Sequence, residues 1–167
     1  MILFMQLDYS KIVYSRGSEN DPEEIIEFWK KNNITVTKTD NPRDLREASR
    51  IYPRLFIVAR YGTSNSDTPA SLSDSKTGRI SKKIVGTVWG NYDGRRGYIV
   101  HLAVETGFRS QGLGRELMER VEEEFHNMGI YKIHLFVESH NQAVGAFYDC
   151  LGYKKRNDLT VYSKTLG

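Results

Sequence analysis

Cysteine is almost absent: Cys150 stands alone among 167 residues. A single thiol excludes an intrachain disulfide and a thiolate metal cluster. The four histidines, His101, His126, His134 and His140, form no His-x-x-x-His pair, so no metal is expected. An excess of one charge is missing too. The formal net charge of +3 is spread over short basic groups such as Lys82-Lys83 and Lys154-Lys155-Arg156, broken by acidic runs such as Glu122-Glu123-Glu124. Nothing there makes a nucleic-acid stripe. Long apolar runs are lacking as well: Met1-Ile-Leu-Phe-Met5 has no basic residue before it and ends at Gln6 and Asp8. That excludes a signal peptide or membrane span at this point, and a cytoplasmic protein is expected. With no repeat or low-complexity tract, the length suits a single domain over 1–167.

What is present alternates strand-like and helix-like patterns. Residues 10–16 read as a first strand. Asp21-Pro22-Glu23-Glu24 starts a helix to about Lys31, with proline in its first turn and carboxylates at its positive end. Asn41-Pro42-Arg43-Asp44 starts a second helix, through Leu45, Ala48 and Ile51. Leu55–Ala59 and Lys83–Tyr92 read as antiparallel strands, the latter closed by Asp93-Gly94. Between them, 62–81 is rich in Ser, Thr, Asp and Gly with almost no apolar residue, the composition of a mobile loop.

The most informative stretch is Val104-Glu-Thr-Gly-Phe-Arg-Ser-Gln-Gly-Leu-Gly-Arg-Glu-Leu117. The β-rich run Tyr98–Val104 feeds a turn bearing Gly112 and Gly114. A helix follows, with Leu113, Leu117, Val121 and Phe125 at every fourth position. A helix N-terminus presents unpaired N–H groups and the positive end of the macrodipole, and glycines there remove Cβ atoms that would hold a phosphate away. Neither nucleotide loop fits: the third glycine of Gly-x-Gly-x-x-Gly is absent, and no Gly-x4-Gly-Lys-[Ser/Thr] occurs. After Gly129, Tyr131–Val137 reads as a strand parallel to Tyr98–Val104, making a right-handed βαβ unit. Asn141 then caps a helix with Val144, Phe147, Tyr148 and Leu151 on one stripe, and Leu159–Ser163 reads as a closing strand.

Arg109-x-x-Gly112-x-Gly114, preceded by the Leu102-x-Val104 strand end, resembles the acetyl-CoA loop of the GNAT-family N-acetyltransferases. Asn141-x-x-x-x-x-Phe147-Tyr148-x-x-Leu151-Gly152-Tyr153 is similar to that family's second signature. The likeness covers roughly residues 11 to 166 and is nearest to the YpeA-like branch, through Val85-Gly86-Thr87-Val88, Tyr92-Asp93-Gly94 and the Leu151-Gly152-Tyr153 ending. One departure is Thr106, where the family commonly has proline. The resemblance implies the GNAT α/β fold, a mixed central sheet of about seven strands with four helices and a splayed parallel pair at the acetyl-CoA site. It makes 62–81 an insertion in what is normally a tight hairpin.

The implied activity is transfer of acetyl from acetyl-CoA, as cosubstrate, to a primary amine. Arg109, Ser110, Gln111, Gly112, Leu113, Gly114 and Arg115 would cradle the phosphates. Backbone N–H groups at Leu102, Ala103 and Val104 would meet the acetyl carbonyl, and Asn141 would touch the pantetheine arm, unless it serves only as a helix cap. Such a reaction needs a neutral amine, a stabilised oxyanion and a proton for the departing thiolate. Tyr148 matches the tyrosine near the CoA sulfur and is the candidate general acid. The base slots hold Tyr98 and Phe136, so Tyr98, acting through water, is the candidate base. Strand alternation puts His101 on the opposite face, making it and His134 poorer candidates. Deprotonation by solvent is an equal alternative. Acceptors are then a protein or peptide α-amine, or a small-molecule amine of similar pKa. A non-catalytic acyl-CoA-binding regulatory domain is the competing class, disfavoured by retention of Tyr148. A homodimer is an allowed assembly.

Overall fold

The computed structural model describes residues 8–17, 21–62, 82–138, 141 and 144–165. Apart from Gly62, the expected 62–81 loop lies outside the described residues. The chain divides after Phe136 into two compact units.

The first unit is built on a sheet of β1 (Ile12–Arg16), β2 (Phe56–Tyr61), β3 (Lys83–Tyr92), β4 (Gly97–Val104) and β5 (Ile133–Leu135), adjacent in that order. The first four run antiparallel, and β4 and β5 pair in parallel. The α/β class with a mixed sheet stands, but the strand number does not: the described residues contain five strands rather than about seven. Leu159–Ser163 alternates as a strand should, yet it makes no ladder and leaves Leu159, Val161 and Tyr162 57%, 69% and 92% exposed. Alternation supplies a strand's pattern and a hydrogen-bonded neighbour supplies the strand.

Two helices cover one face. α1 (Pro22–Lys31) has proline in its first turn with Glu23 and Glu24, and it buries Ile25, Ile26, Phe28 and Trp29. α2 (Pro42–Ile51) is capped by Asn41, whose side chain accepts from the Asp44 N–H at 3.1 Å, and it buries Leu45. These side chains form one core with Phe56, Val58, Trp89 and Ala103 of the sheet. Arg60 at the end of β2 pairs with Glu24 at 2.8 Å and Asp21 at 3.4 Å, fastening α1 to the sheet.

α3 (Leu113–Asn127) covers the other face. Its Leu113, Leu117, Met118, Val121 and Phe125 are all 0% exposed. At about 1.5–3 kcal/mol each, their burial contributes on the order of 10 kcal/mol gross. The helix sits close because β3 and β4 carry glycine beneath it. A Cβ at Gly90 or Gly97 would lie 2.7 or 2.8 Å from the Phe125 ring. Gly129 ends the helix at φ +75°.

The second unit, from Val137, contains α4 (Gly145–Cys150). Val144, Phe147, Tyr148 and Leu151 are its less exposed positions, as the stripe predicts. Val144 is the N-cap of α4, with no side-chain capping bond, and Asn141 stands ahead of it across residues outside the described ones. Among the described residues no helix is long and apolar enough to cross a membrane.

Candidate active site

The loop after β4 is held from several sides. Glu105 donates its N–H to the Val85 carbonyl at 2.9 Å, and Thr106–Phe108 form a single 3-10 turn. The Arg109 side chain folds back, giving Nε to the Val104 carbonyl at 2.8 Å and Nη2 to the Asn32 carbonyl at 3.4 Å. Gln111 Nε2 reaches the Gly107 carbonyl at 3.0 Å. Ser110 and Gly112 both take positive φ, +59° and +91°, which turns the chain sharply into α3. Gly112 caps that helix, and its own carbonyl accepts from Glu116 N–H at 3.0 Å. The first N–H groups of α3 are therefore left facing outward, as every helix start leaves them.

Gly112 is glycine for a reason the sequence did not show. The hydroxyl of Tyr9 donates to the Gln111 carbonyl at 2.5 Å and lies 2.7 Å from where a Gly112 Cβ would be. A side chain at 112 would thus strike Tyr9. Leu113 points into the core, and Arg115 is exposed beside Glu119 at 3.9 Å.

The end of β4 is irregular, and the irregularity shapes the site. Pairing with β3 runs Thr87 to Ala103 and Trp89 to Val100, so β4 carries one extra residue there. His101 absorbs it with φ +51°. This is a β-bulge. Opposed residues on antiparallel strands share a face, so Val100 shares that of Trp89, and Tyr98, two residues earlier, follows it. His101 lies on that face too: its ring stacks on Trp29 at 4.2 Å and on Trp89 at 6.0 Å. Simple alternation, which put His101 opposite Tyr98, fails because the bulge resets the phase.

Three contacts fix the bulge, the first of them fully buried. Trp29 Nε1 donates to Thr87 Oγ1 at 2.9 Å, and Thr87 Oγ1 donates to the His101 carbonyl at 3.2 Å. His101 Nε2 meets Asp40 Oδ1 at 2.9 Å, with side chains 17% and 10% exposed. Burial raises the Asp40 pKa, but the Thr37 N–H and hydroxyl and the His101 ring outweigh it and hold the carboxyl below its usual value. Because the planar peptide sets C=O and N–H in opposite directions, a His101 carbonyl held by Thr87 of β3 turns the Leu102 N–H away from β3. On that other side the β4–β5 ladder reaches only Ile99 opposite Leu135. Beyond it the backbone of Leu102, Ala103 and Val104 has no β5 neighbour.

Tyr98 donates its hydroxyl to Asp93 Oδ2 at 2.8 Å and lies against Phe136, with ring centroids 6.3 Å apart. The Asp93 hydrogen bond, with a smaller effect of burial, pushes the phenol's pKa up. The same aspartate accepts the N–H groups of Arg96 and Arg95, and its own pKa falls to about 2. Tyr148 packs edge-on against Phe147 and Tyr153 in the second unit, and burial raises its pKa. Asn141 is exposed and accepts the Val144 N–H through its backbone carbonyl at 3.3 Å. The first unit thus brings together β4, the glycine turn, Tyr98 and His101, while Asn141 and Tyr148 belong to the second. Among the described residues no group of three or more His, Cys, Asp or Glu could hold a metal. Tyr9, Asp40 and Trp29 belong to no motif, and the bonds Tyr9–Gln111, Trp29–Thr87 and Asp40–His101 join residues 58 or more apart, so sequence reading missed these roles.

Residues 37–153 match the acetyltransferase (GNAT) family. The chain belongs to that family. It is 29% identical over 143 residues to an acetyltransferase of Pectobacterium atrosepticum, covering 86% of this chain and 88% of that one. Its fold is similar to that of the NatC complex bound to Gag peptide and CoA, with a TM-score of 0.62, 21% identity and coverage of 88% and 87%. It is also similar to the PaiA N-acetyltransferase of Thermoplasma acidophilum in complex with coenzyme A, with a TM-score of 0.66, 16% identity and coverage of 87% and 91%. These structural likenesses establish the fold.

Proposed function

We propose that the chain, acting as one domain, transfers acetyl from acetyl-CoA to a primary amine, with a protein or peptide α-amine first among acceptors and the YpeA-like branch as its nearest kin. The observation that carries this is the bulged end of β4. It leaves the Leu102–Val104 backbone beyond the β5 ladder, with the Leu102 N–H turned away from β3, on the strand that feeds the glycine turn and the α3 N-terminus. Pyrophosphate is held at residues Arg109–Arg115 by backbone N–H groups and the helix dipole. Arg109 shapes that loop from behind through its bond to Val104. The acetyl oxygen takes the β4 N–H groups, which stabilise the oxyanion as the amine adds. Tyr148 gives a proton to the departing thiolate, a role suited to a phenol whose pKa is raised by burial. Asn141 contacts the pantetheine arm.

Tyr98 has its own proton committed to Asp93, so its oxygen is an acceptor for the amine or for a water. An α-amine near pKa ~8 is roughly a tenth neutral at pH 7, against well under a thousandth of a lysine amine near ~10.4, so a site without a carboxylate in either base slot suits the former. Two structural neighbours hold CoA, one of them together with a peptide, which supports the same reading. A small-molecule amine of similar pKa is the second acceptor class. The test is acetyl-CoA-dependent thiol release across peptides with different N-termini, polyamines, amino acids and aminoglycosides. Release with at least one amine is expected. Tight acetyl-CoA binding without turnover on any of them would instead mark a regulatory acyl-CoA-binding domain.

A further inference from the structure

The Asp40–His101 pair sits where an acceptor amine would arrive. α3 and its anion-binding end cover one face of the sheet, so a nucleophile attacking an acetyl group held at the β4 end must come from the other. On that face the described residues place Trp29, Trp89, Tyr98 and His101. His101 is the residue immediately before Leu102, and the bulge that frees the Leu102 N–H is the same distortion that swings the imidazole onto this face. Asp40 accepts only, so Nε2 carries the hydrogen in their 2.9 Å bond. That fixes the tautomer and leaves the lone pair on Nδ1. Among the described residues Nδ1 has no partner. The ring is stacked against two tryptophans yet remains 17% exposed, so it is rigid and reachable.

We propose that His101 is the general base of the acetyl transfer and that Asp40 is its positioning residue. This deepens the reading of the previous subsection and rests on it. The neutral amine adds its lone pair to the acetyl carbon, and Nδ1 takes the proton that this nitrogen must lose as the N–C bond forms. The C–S bond then breaks, the electron pair leaves on the CoA sulfur, and that thiolate is protonated by Tyr148. The imidazolium returns its proton to solvent and the Tyr148 phenolate regains one from it, so the cycle is balanced with no further reagent. Of the groups that meet His101, Trp29 from α1, Trp89 and, at its carbonyl, Thr87 from β3, and Asp40 from the segment before α2, only Asp40 is ionisable. Farther along the same face lies Tyr98, bonded to Asp93.

The experiment is the pH profile of kcat/KM for wild type, His101→Gln, His101→Ala and Asp40→Ala, with folding checked by circular dichroism. For wild type an ascending limb of slope one is expected. In His101→Gln that limb should vanish and kcat fall about 10²-fold, with the KM for acetyl-CoA unchanged. Asp40→Ala should lower kcat without raising that KM, and imidazole in the buffer should partly restore His101→Ala. A folded His101→Gln protein that keeps the limb and the rate overturns the proposal. Should the variants not fold, wild type alone decides: with a peptide series whose α-amines differ in pKa, a limb fixed in pH belongs to the enzyme. A limb that moves with the amine overturns the proposal. Thiol release by wild type together with either adverse result sinks only the base, whereas no release with any amine sinks the acetyl transfer itself.

Discussion

Replacing Thr87 by valine isolates the buried chain of hydrogen bonds that holds the β4 bulge. Valine has nearly the volume of threonine, so no cavity opens, but it can neither accept from Trp29 nor donate to His101. Both Thr87 and Trp29 are 0% exposed, and their bond is 2.9 Å. The Trp29 N–H is then buried with no acceptor, at a cost of about 1–3 kcal/mol. For a chain of this size about 2 kcal/mol corresponds to a Tm drop of roughly 4–8 °C. A second effect should separate from the first. With the His101 carbonyl released, the Leu102 N–H loses its fixed aim, so kcat should fall at temperatures where both proteins are fully folded, with little change in acetyl-CoA affinity. Scanning calorimetry reads the stability and single-turnover acetylation reads the rate. An unchanged Tm would refute the buried bond. A lowered Tm with an unchanged kcat would refute the link from Thr87 to the acetyl site.

Gly112→Ala must adopt φ +91° and press its methyl on the Tyr9 hydroxyl, so a folded variant should bind acetyl-CoA at least tenfold more weakly by calorimetry, and Tyr9→Phe should weaken it less. Tyr148→Phe keeps the ring and removes the proton, so kcat should drop by about 10² while cofactor affinity holds, measured by thiol release. The Asp93 carboxyl has a folded pKa of about 2 against an ordinary 3.8. Because its folded value is depressed, the stability it lends is complete above 3.8 and is lost as pH falls toward 2. Asp93→Asn should therefore flatten Tm against pH across that window relative to wild type.

Local signals were legible where the chain obeys local rules. Pro22 and Pro42 mark helix starts, the fourfold stripe from Leu113 to Phe125 is the buried face of α3, and Gly129 is its stop. The glycine turn was legible from Gly112 and Gly114 standing between a β-rich run and a helical stripe, but its positive φ at Gly112 and the Tyr9 hydroxyl beside it, from 102 residues away in the bond to Gln111, were not. What alternation could not reveal is a bulge. A histidine at φ +51° inside Tyr98–Val104 leaves the pattern intact on paper while moving His101 to the other face. Asp40 and Thr87 acquire meaning only when β3, β4 and the segment before α2 come together, and no spacing along the chain encodes that. Leu159–Ser163 shows the converse, a strand pattern without a partner.

The most direct measurement pairs two peptides: one with a free α-amine and blocked lysines, the other with a blocked α-amine and free lysines. Each is incubated with acetyl-CoA and the protein, and acetyl gained is followed by mass spectrometry against thiol released. The account predicts that the free α-amine peptide is acetylated faster, with one acetyl gained per thiol and little reaction in Tyr148→Phe. No acetyl on either peptide, or faster reaction of the lysine-only peptide, would contradict it.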